Sequence, residues 1–284
     1  MTAPFPNPIP VPGAADGPSA LVEAARAGTV FDLARPMVEG MAQSPNHPPY
    51  RLSMPRRHGD RVRADGGSAA NDLLTTGTHV GTHMDALGHV SHCGELYGGA
   101  DADAAQEHGR LSTHGIDEVP PIVTRGVLLD IATLHGVAAL DGGVEVTPAD
   151  LDAAEAAVGG IEPGDAVLVR TGWGRWWDDP DAYVGRESGV PGVGEAGARW
   201  LAERRPVTVG GDSIAFECIE PRAGHALLPA HRVLLVEFGI HIIETMALDE
   251  LGLSGVTTFL FIVAPLPLVG ATGSPVRPLA VVAP

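Results

Sequence analysis

The chain has 284 residues, 44% of them hydrophobic and 19% charged, enough to bury a substantial core and too apolar for a disordered polymer. Its net charge of -17, with only 18 Lys and Arg, leaves no basic stripe to grip nucleic acid or an anionic membrane surface. Two cysteines, Cys93 and Cys218, are too few for a disulfide framework. Both read as small apolar fillers, with Cys93 a secondary candidate for a pocket wall.

Residues 1–18 are Pro-rich and predict an extended arm. They lack the charged and apolar regions of a signal peptide, and the apolar run from Phe259 is broken by Pro265 and Pro267. A soluble cytoplasmic protein is expected. The stretch SALVEAARAG, ending at Gly28, predicts a short helix capped by Ser19, and TVFDLARPM a strand entering a loop. From Ser44 to Gly67 the chain is rich in Pro, Arg and His, and predicts a long loop or a set of short strands.

Beyond a histidine-rich stretch at residues 78–90, GVLLDIA (126–132) predicts a buried strand. TPADLDAAEAAVGG predicts a helix, with Thr147 as cap, Pro148 in its first turn and Gly159–Gly160 as its stop. DAVLVRTGW is a buried strand leading to Trp173, Trp176 and Trp177. GEAGARWLAERRP is helical, VTVGGDS a strand and tight turn, and LPAHRVLLVEFGIHIIET a helix followed by a strand from near Ile240. ALDEL is a short helix; VTTFLFIVAPL and RPLAVVA are late core strands. No repeat or linker divides the chain. The expectation is one α/β domain with a mixed or antiparallel sheet, because the helices are too few and too irregularly placed for a doubly wound parallel one.

The chemistry concentrates in THVGTHMDALGHV, which places His79, His83, Asp85 and His89 within eleven positions. Gly77, Gly81 and Gly88 oppose a helix. A strand puts His79, His83 and Asp85 on one face, but six straight steps would separate the first from the last by about 20 Å. Ligands of one ion lie about 2 Å from it, so a chelating segment must bend, and Gly81 permits that bend. Two imidazoles and a carboxylate suit Zn²⁺ or Mn²⁺, and three protein ligands leave room for water and substrate.

HVGTHMDALGH resembles the HxGTHxDxPxH signature of the metal-dependent cyclase family, which includes bacterial kynurenine formamidases and isatin hydrolase. The match covers His79, Gly81, Thr82, His83, Asp85 and His89, and departs at Leu87, where the signature has proline. FDLARPMVEGM, GDAVLVRTGW, LPAHRVLLVEFGIHIIE and ATGSPVRPLAVV resemble the family's opening strand, central strand, second ligand segment and closing loop. The resemblance implies that His79, His83 and Asp85 hold the metal. It implies that His231 and Glu244 complete the site or hold a second ion, and that His89 is the general acid/base. It further implies a swivelling-domain-like α/β fold with a central mixed sheet and flanking helices, as a homodimer or homotetramer.

Other residues are weaker candidates. His47, in the early loop, and Trp173, at a strand end, are candidates for substrate contact. His225 rivals His231 as a ligand. Asp212 and Glu217 either orient a ligand or lie in a solvated loop. The expected activity is metal-dependent hydrolysis of an amide, cyclic imide or lactone in a small aromatic or cyclic substrate. A metal-assisted cyclase or dehydratase would use the same ligands. A non-catalytic small-molecule-binding protein ranks last, because His89 supplies an acid/base group.

Overall fold

The computed structural model describes residues 27–283, so the Pro-rich arm and nearly all of the expected Ser19–Gly28 helix lie outside the described residues. In chain order the strands are β1 (Thr29–Asp32), β2 (Arg51–Arg56), β3 (Asn71–Thr75), β4 (His83–Asp85), β5 (Gln106–Glu107) and β6 (Arg110–Leu111). There follow β7 (Ile122–Asp130), β8 (Glu145–Val146), β9 (Ala166–Arg170), β10 (Gly192–Val193) and β11 (Thr208–Gly211). The last are β12 (His241–Glu244), β13 (Thr258–Val263), β14 (Gly273–Pro275) and β15 (Leu279–Val282).

Nine of these form one mixed sheet in the order β1-β15-β13-β7-β9-β11-β12-β4-β14. The middle four, β7, β9, β11 and β12, run parallel, and the strands on either side pair antiparallel. Parallel strands covered on both faces should be apolar throughout. β9 meets that condition, with all five residues buried.

Side-chain alternation splits the core between the two faces. Val127, Leu129, Val167, Val169, Val209 and Ile242 point to one face, against Leu151, Leu201 and Leu234 of the helices. Leu128, Leu168 and Ile243 point to the other, with Met84, Phe259 and Phe261. The helix Pro148–Val158 begins and ends as its sequence predicts. The Thr147 side chain accepts from Asp150 N, Asp150 returns the bond in a capping box, and Gly159 closes the helix at φ 82°.

Residues 192–197, GVGEAG, have the spacing of a dinucleotide-binding fingerprint at the start of the helix Glu195–Glu203. Their glycines serve packing instead: a Cβ on Gly194 would collide with the Glu145 side chain, and one on Gly197 would stand 2.9 Å from Val146 O. The Ser44–Gly67 region contains a strand where a loop or strands were both open. β2 pairs with β3 alone, as an exposed hairpin outside the main sheet. Among the described residues no helix is long and apolar enough to cross a membrane.

Candidate metal centre

The histidine-rich segment is not one strand. Only His83–Asp85 is extended; Gly81 turns the chain at φ +70°, bringing His79 back towards Asp85. The bend expected from distance is therefore present, and the shared face of a straight strand applies only to His83 and Asp85. Between them Met84 points into the core on the other side of the sheet. His83 lies directly opposite Glu244 in the β4–β12 register, the closest placement two strands offer. Its Nε2 is 3.3 Å from Glu244 Oε2 and 3.5 Å from Asp85 Oδ1.

His231 arrives from a different direction. Pro229 opens a short helix in its first turn, and the chain then widens into a π-helical stretch over Arg232–Glu237. This start holds the His231 Nε2 atom 3.0 Å from Glu244 Oε1 and 3.6 Å from Asp85 Oδ2. The structure thus gathers His79, His83, Asp85, His231 and Glu244, all buried, into one cluster.

Hydrogen bonds set which atoms face it. His83 Nδ1 donates to Gly81 O at 2.8 Å, so Nε2 is the nitrogen aimed at the carboxylates. His231 Nδ1 is tied to Glu217 Oε2 at 2.8 Å, again leaving Nε2 inward. His79 is held on both sides, by Asp85 Oδ1 at 2.7 Å and by Thr272 Oγ1 at 2.9 Å. Asp85 Oδ2 is buried and has no hydrogen-bond partner. An orphaned carboxylate oxygen is costly unless something cationic meets it. Two overlapping groups that could hold a metal ion include this carboxylate, His79–Asp85–His89 and Asp85–His231–Glu244, with the donor atoms of each group within 4.8 Å of one another. This mixture of imidazole and carboxylate donors fits a divalent cation.

The protonation pattern follows from burial and partners. Burial opposes charge on His231, but the bonds to Glu217 and Glu244 raise its pKa well above the ordinary 6.5. His83 is raised in the same way by Glu244. Burial pushes Asp85 towards the neutral form, and the surrounding imidazoles overcome that and keep it ionised. His89 differs: burial drives it down to about 4, against the pull of Asp85. Its ring stacks on His79, with centroids 3.8 Å apart. Gly88, just before His89, does not have a positive φ. It is required for space: a Cβ there would stand 2.9 Å from His114 O.

A cleft of about 440 Å³, including its open mouth, leads to the cluster. His47, Ser44, His89, Ile214, His225 and Leu228 are among the residues that line it. The Cyclase family model matches residues 31–218. The chain belongs to this family.

A cyclase of known crystal structure superposes with a TM-score of 0.80 at 30% identity, covering 94% of this chain and 93% of that one. The isatin hydrolase of Roseibium aggregatum is 27% identical over 222 residues, 77% of each chain. Isatin hydrolase A from Labrenzia aggregata, bound to benzyl benzoate, matches with a TM-score of 0.73 at 22% identity, covering 94% and 99%.

In this cyclase-family cleft His47 is a wall residue, its ring 5.3 Å from that of His79. Trp173 is not among the residues lining it. Its indole is buried, donates to Tyr183 O at 2.8 Å and packs with Val190 and Ile214. His225 lies on the cleft wall outside both ligand sets. Glu217 and Asp212 are fully buried, which removes the solvated-loop reading. Asp212 accepts from Thr171 N, Thr171 Oγ1 and Gly172 N, tying the end of β9 to the end of β11. Cys93 is exposed and is no core filler. Thr272 and Gly273 carry no sequence signal of their own. A Cβ on Gly273 would stand 2.6 Å from His79 Cε1, so glycine makes room for that ring.

Proposed function

We propose that this cyclase-family chain is a metal-dependent hydrolase acting on an amide, cyclic imide or lactone of a small, aromatic or cyclic substrate. The observation that carries the proposal is Asp85 Oδ2, buried without a partner between His231 and Glu244, beside an imidazole that burial keeps neutral. His79, His83, Asp85, His231 and Glu244 would hold the ion or ions, with Asp85 common to both ligand sets. A bound divalent ion would polarise the scissile carbonyl and make a water more acidic.

The chain's own residues do the rest. The hydrogen bonds to Gly81 O and Glu217 aim the two Nε2 atoms inward, so loading requires loss of their protons but no reorientation of the rings. His89, neutral at physiological pH, takes a proton from the attacking water on a ring nitrogen. It then returns that proton to the departing nitrogen or oxygen. Ile214, Ala215 and Leu228 give the cleft an apolar stretch of wall against which a ring could lie.

The test combines elemental analysis of purified protein with a screen of N-formyl aromatic amines, cyclic imides and lactones. Turnover should vanish with a chelator and return with Zn²⁺ or Mn²⁺. Stoichiometric metal with no hydrolysis of any of these classes would remove the hydrolase reading. Metal-independent turnover would remove the metal.

A further inference from the structure

A second cavity, of about 690 Å³ with its open mouth, lies apart from the metal cleft and shares no lining residue with it. Its size is that of a small-molecule site. Two indoles form its apolar wall. Trp173 and Trp176 stand edge to face, with ring centroids 6.3 Å apart and planes at 62°. The turn Trp173–Trp176 starts from Gly172, whose φ of 76° and close approach to Ala138 O exclude a side chain.

The backbone around the cavity is fastened on three sides. Leu140 N donates to Thr171 O at 2.9 Å, and Trp173 Nε1 donates to Tyr183 O at 2.8 Å. Gly142 packs so closely that a Cβ there would stand 2.5 Å from Ser188 O. The cavity is therefore pre-formed and needs no rearrangement to admit a ring.

A cation stands at its wall. Arg175 Cζ lies 5.0 Å from the centroid of the Trp176 ring, which positions the guanidinium beside the two indoles. Two other arginines stack on indoles among the described residues, Arg35 on Trp177 and Arg204 on Trp200. Each of those is neutralised by a carboxylate, Asp249 and Glu155 respectively. Arg175 has no such partner among the described residues, in a chain whose net charge is -17. Asp141 lies on the same wall, so a ligand with a second negative group would be repelled.

We propose that this cavity is a second ligand site, for an aromatic monocarboxylate. The ring lies against Trp173 and Trp176, and the carboxylate pairs with Arg175, in the role that Asp249 and Glu155 fill at the other two stacks. The site is separate from the metal centre, and one apolar cluster links them, because Trp173 packs with Ile214 of the cleft wall.

Calorimetric titration of the full chain with 2-naphthoate, in the presence of a chelator, tests the site without reference to any activity. The expected result is a single binding site per chain that does not require metal. Arg175→Gln, at an exposed position, should weaken binding about tenfold or more, the usual effect of removing a charged hydrogen-bond partner. Trp176→Ala should weaken it as well, and both variants should keep the wild-type circular dichroism spectrum. Neutral 2-naphthamide should bind about tenfold more weakly than the acid. No binding by wild type up to about 5 mM, unchanged affinity in either folded variant, or equal binding of the amide would overturn the assignment.

Discussion

Glu217 Oε2 lies 2.8 Å from His231 Nδ1, and the same carboxylate accepts from Ala230 N at 2.7 Å and His231 N at 3.2 Å. One buried side chain thus anchors the first turn of the helix and selects the tautomer of the imidazole on it. Nothing else in the cluster does both.

Glu217→Gln should therefore weaken metal binding without abolishing it. The amide oxygen can take over one bond, but the negative charge that supports the His231 N–H is gone. Loss of a group that orients a ligand typically costs about 10–100-fold in metal affinity. Competition with a fluorescent chelator measures this directly. An unchanged affinity would show that His231 is not a ligand, or that its orientation is fixed by other contacts.

His83→Ala and Asp85→Asn should go further and lose the ion. His83 presents Nε2 to both carboxylates, and Asp85 belongs to both ligand sets. Because metal that binds only the folded state stabilises it, wild type should gain about 2.7 kcal/mol at 100 times the dissociation constant. The two variants should show no metal-dependent shift in melting temperature. Full metal content in either one would refute the ligand assignment.

The metal-free protein should be most stable near pH 6.5. His83 and His231 have raised pKa values, so their contribution is complete below about 6.5 and is lost as pH rises through their folded values. His47, His89, His225 and His241 are lowered, chiefly by burial, and their contribution is lost as pH falls below 6.5. Metal must displace the protons of His83 and His231, so its affinity should climb between pH 6 and 8 with measurable proton release. Melting temperatures and titrations in buffers of different ionisation enthalpy check both points. An affinity that is flat across this range would contradict the protonated imidazoles.

Which features could be read from the sequence has a physical pattern. β9 was legible because a parallel strand covered on both faces leaves an unbroken apolar run, and the helix Pro148–Val158 because its cap and stop are local. The grouping of His79, His83 and Asp85 was legible because seven residues with a glycine bend hold all three. Glu217 was half-seen: its partner His231 is 14 residues away, and only the packing around both shows that it is buried. Thr272 was invisible, since it reaches His79 across 193 positions. Trp173, just beyond β9, offered the same sequence signal for pocket wall and for core, and its buried indole packs with Val190 and Ile214 and lines a separate cavity rather than the cleft at the cluster.

Trp173→Phe should separate those two roles. The substitution deletes the bond from Nε1 to Tyr183 O and leaves a small void, a loss of about 1–2 kcal/mol by the usual value of a buried hydrogen bond plus packing. The Michaelis constant for a substrate found in the screen should stay within about twofold of wild type, the near-neutral outcome expected away from a binding surface. A large rise in that constant with unchanged stability would place the indole against substrate.

His89→Ala should leave the metal and remove the chemistry. His89 stacks on His79 with ring centroids 3.8 Å apart, and 6.5 Å separates it from the His231 ring, so it borders the proposed ligands. It is only partly buried, unlike His79, His83 and His231, and so stays accessible from the cleft. Burial holds it neutral at physiological pH, which is the form that can accept a proton. Removing a general acid/base costs about 10²–10⁴ in rate, whereas removing a ligand also loses the ion. The expected variant is therefore folded and fully metallated, with kcat reduced by that factor and the Michaelis constant little changed. His89→Gln, which keeps a polar group of similar reach but cannot shuttle a proton, should be as slow. Loss of metal from either variant would move His89 into the ligand set His79–Asp85–His89, and wild-type kcat in either would end its role in proton transfer.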